Sequence, residues 1–112
     1  VPHIQSGAIK ALASTPLKRP SIAPDLPTIS EAALPGFDTS VWFAFNAPAG
    51  TPREVIDRLN RALNEALKTP EVLSTLQKQG IDPVGGTPED YARYTESETK
   101  KWTDVAKAAG MK

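Results

Sequence analysis

Eleven prolines in 112 residues decide where regular structure cannot run. Proline has no backbone N–H and a fixed φ, so it breaks a helix interior and removes a ladder bond from a strand. Pro16, Pro20, Pro24 and Pro27 fall close together and make residues 15–27 a stiff, extended loop. Pro52, Pro70 and Pro88 each follow a threonine, and there the ring favours structure. At the first helical position the missing N–H has no partner to lose. The repeated Thr-Pro therefore predicts three helix starts, although the helix bodies that follow do not match one another.

The first of these helices is expected over Pro52–Leu67. Val55, Ile56, Leu59, Ala62, Leu63, Ala66 and Leu67 share one face at the helical period, and Arg53, Asp57, Arg58, Arg61 and Glu65 fill the other. Thr51 and Glu54 have the spacing of a capping box. The second helix starts at Thr69-Pro70-Glu71, turns Val72, Leu73 and Leu76 inward and ends at Gly80. The third runs from Thr87-Pro88 to about Ala109, with Gly110 as its cap and Tyr91, Tyr94, Glu98, Trp102, Val105 and Ala109 on one stripe. A short helix is expected after Thr28, where Thr28 and Glu31 also have capping-box spacing, ending by Pro35-Gly36. Val1–Gly7 reads as a helix tail closed by Gly7.

Between the breakers lie three strand candidates. Ile9–Ser14 alternates apolar with small or polar residues, Thr39–Ala47 carries the run Val41, Trp42, Phe43 and Phe45, and Ile81–Val84 is short. Pro48 stops the second strand and Gly50 turns the chain into the Pro52 helix. Strand, tight loop and capped helix make half of a βαβ unit, so the fold class expected is α/β.

Apolar residues make up 39% and charged residues 23%, enough for the core of one small domain. Lys plus Arg equals Asp plus Glu, 13 each, which argues against nucleic acid as a partner because phosphate binding needs a basic face. No apolar run approaches the roughly 18 residues that cross a bilayer, and no signal peptide is readable. The chain opens at Val1-Pro2 without an initiator Met, which suggests a piece of something longer.

Catalytic signals are poor. With no cysteine and one histidine, His3, neither a metal site nor a histidine-based triad is readable, and no cofactor is expected. Gly85-Gly86-Thr87-Pro88 lacks the spacing and the lysine of a phosphate loop. Glu98 lies on an aromatic stripe, where it serves either as a functional acid or, as we favour, as the partner of an Arg at the edge of the core. Ser14 and Thr15 close the first strand at its carboxyl end, where open α/β sheets gather their ligands. Their hydroxyls either bind a small polar ligand or simply begin a loop.

Taken together, Ile4–Ala13, Pro24–Gly36, Trp42, Ala47-Pro-Ala-Gly-Thr-Pro52 and Gly85-Gly-Thr-Pro-Glu89 resemble, in order and spacing, the tripartite tricarboxylate transporter substrate-binding proteins, also called Bug receptors. The position two residues after the Trp, usually Gly in that family, is Ala44. The resemblance covers essentially the whole chain. It implies a portion of a two-lobed periplasmic binding protein of type II, with short sheet strands packed on three main helices. Residues 1–40 would be part of the second lobe, residues 41–50 a crossover strand, and residues 51–112 the C-terminal part of the first lobe. It implies a periplasmic receptor, not an enzyme, for a small carboxylated organic acid, working with membrane transporter subunits. Family members are two to three times this length, and the loops that grip the solute mostly lie upstream of Val1. Ser14 and Thr15 are the ligand-binding candidates that remain. A rival reading is a small structural or interaction domain that self-associates, with a homodimer formed through exchange of the Thr39–Ala47 strand.

Overall fold

The computed structural model describes residues 2–111. Five helices are formed among them: α1 (Pro2–Gln5), α2 (Ile29–Ala32), α3 (Arg53–Ala66), α4 (Pro70–Lys78) and α5 (Pro88–Ala108). They divide between two compact units. One holds Val1–Asn46 and Lys68–Pro83, the other Ala47–Leu67 and Val84–Lys112.

The helix ends follow their local chemistry. At α2 the Thr28 hydroxyl accepts from the Glu31 N–H at 3.1 Å, while the Glu31 carboxylate accepts from the Thr28 N–H at 2.9 Å. This is a complete capping box. At α5 Thr87 and Asp90 form the same reciprocal pair, with Pro88 at the first helical position. Both α4 and α5 close in the glycine motif in which two backbone bonds span the helix end. Ile81 N–H reaches Leu76 O and Gly80 N–H reaches Gln77 O, with Gly80 at φ +75°. Met111 N–H reaches Ala106 O and Gly110 N–H reaches Lys107 O.

The Thr51-Pro52 start differs from its expectation. Helix α3 has Pro52 as its N-cap, with no side-chain cap bond. The Thr51 hydroxyl donates instead to Pro48 O at 2.8 Å, within the turn that Gly50 makes at φ +84°. The hydroxyl is spent on the turn, so the Thr51–Glu54 capping box does not form.

The expected strands are the larger correction. Among the described residues the β-structure is one isolated parallel bridge, Ser14 with Thr28. The Ser14 N–H donates to Pro27 O at 2.9 Å, and the Ile29 N–H donates to Ser14 O at 2.8 Å. The ladder cannot lengthen on either side. Pro27 has no N–H to give, and beyond Ile29 the backbone has already turned into α2. Ile9–Ser14 is thus a single bridge rather than a strand. Thr39–Ala47 and Ile81–Val84 form no bridge among the described residues. An apolar run becomes a strand only beside a neighbour in register.

The helix faces are also less covered than their periodicity predicts. Ile56, Leu63 and Leu67 are half-buried, but Val55 and Leu59 are exposed. Among the described residues no apolar side chain is fully enclosed, and the buried positions are Thr28 and Glu98.

Candidate functional site

The structure brings Ser14 and Thr15 into a junction of three backbone segments. On one side lies residues 27–29, through the Ser14–Thr28 bridge. On the other lies Thr39, whose N–H donates to Thr15 O at 3.1 Å. Four hydroxyl residues, Ser14, Thr15, Thr28 and Thr39, therefore meet through main-chain bonds. Sequence reasoning found the first two. It missed Thr28 and Thr39, which join from across the proline loop and beyond α2; only the Thr28–Glu31 spacing was visible.

The hydroxyls differ in freedom. Thr28 is fully buried and its oxygen holds the α2 cap. Ser14 is half-buried, and its Oγ lies a long 3.5 Å from Pro27 O. A bond of that length is weak, so the Ser14 hydroxyl can turn to a better acceptor. Thr15 is exposed. Hydroxyls of this kind suit a carboxylate, which accepts several hydrogen bonds at once.

The junction is braced from the proline loop. The Asp38 carboxylate accepts from the Leu17 N–H at 2.9 Å. Arg19 Nε meets both Glu31 oxygens, at 3.2 and 2.9 Å, and its Nη1 donates to Pro24 O at 3.2 Å. The backbone N–H of Thr28 and then the Arg19 guanidinium hold the Glu31 carboxyl below its ordinary value of 4.5. Farther along, Asp82 accepts from the Ser21 N–H at 3.1 Å and from its hydroxyl.

In the other unit the polar chemistry serves structure. The Asn64 side chain clasps Gly86 at both ends: its Nδ2 donates to Gly86 O at 2.9 Å and its Oδ1 accepts from Gly86 N–H at 2.9 Å. Asn60 adds a third bond to Gly86 O at 2.9 Å. Arg53 ties α3 to the start of α5, with Nε 2.8 Å from Asp57 and Nη1 2.6 Å from Glu89. This accounts for Gly85-Gly86 without any ligand. A Cβ on Gly85 would stand 2.7 Å from Asn64 Oδ1.

Glu98 is buried, as its stripe position suggests, but its cation is Lys101 rather than an Arg. Trp102 Nε1 donates to its other oxygen at 3.0 Å, and Lys101 Nζ sits 5.4 Å from the Trp102 ring centroid. An ion-paired, hydrogen-bonded carboxylate of this kind is a structural group. His3 is exposed, and its carbonyl accepts from the Ser6 hydroxyl at 3.2 Å. No group of three metal-ligating side chains is found among the described residues.

The model of the tripartite tricarboxylate transporter family receptor matches residues 1–111. The chain belongs to this receptor family. A UPF0065 protein from the tcbD–tcbE intergenic region of a Pseudomonas species is 44% identical over 101 residues, which cover 89% of this chain and 30% of that protein. Protein BugT of Bordetella pertussis is 38% identical over 98% of this chain and 34% of its own length. The chain thus spans about a third of the relatives it matches. The solved structure of the periplasmic binding protein BugD superposes with a TM-score of 0.80 at 33% identity, over 99% of this chain and 38% of that one. A second structure, described as a periplasmic transporter, gives 0.81 at 36% identity. The backbone is therefore that of a portion of a periplasmic binding protein, even though it carries a single β-bridge among the described residues. No helix among those residues is long and apolar enough to cross a membrane.

Proposed function

We propose that this chain is part of a periplasmic, non-catalytic receptor for a small carboxylated organic acid, which hands its solute to membrane transporter subunits. The observation that carries the reading is the family match over residues 1–111, supported by backbone agreement with BugD over 99% of the chain. Residues 1–40 contribute to the second lobe, residues 41–50 cross between lobes, and residues 51–112 complete the first. Closure of two lobes on a solute is the change a membrane partner can read.

Within this reading Ser14 and Thr15 donate hydrogen bonds to a solute carboxylate. Their backbones are fixed by the Thr28 bridge and the Thr39 bond, while the Ser14 hydroxyl is only weakly engaged. A hydrogen bond to a charged acceptor is worth about 1.5–3 kcal/mol, so Ser14→Ala should weaken solute binding about tenfold or more.

The test is thermal unfolding of the full receptor carrying this segment, against a panel of mono-, di- and tricarboxylates. A binding acid raises the midpoint by mass action, and Ser14→Ala and Thr15→Ala reduce the rise. A midpoint that no carboxylate moves would overturn the proposal.

A further inference from the structure

We propose that Arg19 is a positioning residue for the solute site: through Glu31 it fixes the Thr28 segment against which Ser14 is held. The inference rests on the carboxylate reading of Ser14 and Thr15 and adds to it a residue outside the hydroxyl junction.

The link runs through one oxygen. Glu31 Oε2 accepts from the Thr28 N–H at 2.9 Å and from Arg19 Nε at 2.9 Å. The same guanidinium reaches back with Nη1 to Pro24 O at 3.2 Å. Arg19 thus staples the middle of the proline loop to the cap of α2. Thr28 lies between Pro27 and Ile29, the two residues that hold Ser14: Pro27 O accepts from the Ser14 N–H, and the Ile29 N–H donates to Ser14 O. A shift of Thr28 therefore disturbs both bonds that place the Ser14 hydroxyl.

The loop needs such a staple. A single bridged pair is a weak hold, and residues 15–27 contain no helix or strand to keep the two arms of the loop together. Turns closed by Ala23 N–H on Pro20 O and Leu26 N–H on Ala23 O fold it. Leu17 and Ser21 tie it to Asp38 and Asp82, whereas Arg19 ties it to α2. An exposed ion pair adds little to global stability, and both side chains here are nearly half exposed. A charge-assisted bond still sets direction, and a misaligned hydrogen bond weakens steeply. The effect of Arg19 therefore falls on the geometry of binding rather than on folding.

The test uses the full receptor carrying this segment, with Arg19→Gln, Glu31→Gln and the double variant. Citrate, succinate and acetate are the probes, followed by titration calorimetry. Glu31→Gln keeps an oxygen for the Thr28 N–H, since glutamine also completes a capping box, but loses the charge that holds Arg19. Each single variant should bind the acids that the receptor binds about three- to tenfold more weakly. The double variant should bind no more weakly than either single one, because both changes break the same link. The unliganded thermal midpoint should stay essentially unchanged, while the Ser14 and Ile29 amides of the unliganded variants exchange faster. Equal binding by the receptor and Arg19→Gln overturns this inference alone. No binding of any probe by the receptor overturns the carboxylate reading, and this inference with it. A double variant that binds as the unaltered receptor does also overturns it, because Arg19 then only cancels the Glu31 charge. So does a loss of binding that comes with a lowered midpoint, which is what a purely structural role gives.

Discussion

The clasp joining α3 to the start of α5 and the run from Val41 to Phe45 are opposite answers to one requirement. Every backbone polar group must find a partner. At Gly86 both groups are taken by the Asn64 side chain, with Asn60 adding a further bond. Along Val41–Phe45 no ladder forms among the described residues, and three large apolar side chains face solvent. The clasp is completed by residues the chain itself supplies. The run has the composition of a strand and forms no ladder among the described residues. What separates them is the long-range hydrogen bonding that each is seen to form, not how strongly each stretch prefers its conformation.

Breaking the clasp should produce the largest effects. Gly85→Val meets two penalties, a φ of +69° that β-branched residues resist and a Cβ 2.7 Å from Asn64 Oδ1. We expect a loss of about 2–3 kcal/mol in denaturant unfolding. Asn64→Ala removes both side-chain bonds to Gly86 while leaving the glycine free to adopt its turn, and should cost about 1–2 kcal/mol. If Asn64→Ala is as damaging as Gly85→Val, the clasp rather than backbone strain dominates that corner.

Smaller effects belong to the caps. Thr28→Ala and Thr87→Ala each lose one capping hydroxyl, at about 1 kcal/mol. Thr28 should be the worse of the two, since it is fully buried. The carboxyls of these caps also set an acid limit. Bonding to the backbone of Thr28 holds Glu31 below 4.5, and bonding to Thr87 holds Asp90 below 3.8. A carboxyl lowered by folding stabilises the fold above its unfolded value and loses that contribution as pH falls through the folded one. Stability should therefore fall from about pH 4.5 downward, followed by circular dichroism, with Glu31→Gln flattening part of the fall. At the bottom of the scale stands Lys100–Asp104, an exposed pair one helical turn apart. Lys100→Ala should leave the denaturant midpoint essentially unchanged.

What was legible in the sequence follows the same division. The caps at Thr28 and Thr87 and the closing glycines Gly80 and Gly110 were readable because each motif lies within a few residues. The Asn64–Gly86 clasp was not, since its partners are separated by a helix end, all of α4 and a loop. The strands failed for the reason the clasp succeeds. Propensity marked Thr39–Ala47 and Ile9–Ser14 as strands, but a ladder depends on a partner elsewhere, and Pro27 and α2 confine the Ser14–Thr28 pairing to a single bridge. Ser14 and Thr15 were found from their place after an apolar stretch. Thr28 and Thr39 joined them only once the chain had folded back.

Hydrogen exchange followed by mass spectrometry, run on the chain and on its Asn64→Ala variant, tests this account most directly. It predicts a Gly86 amide that exchanges slowly in the chain, where Asn64 Oδ1 accepts from it, and quickly in Asn64→Ala. A Gly86 amide that exchanges at the same rate in both would contradict it.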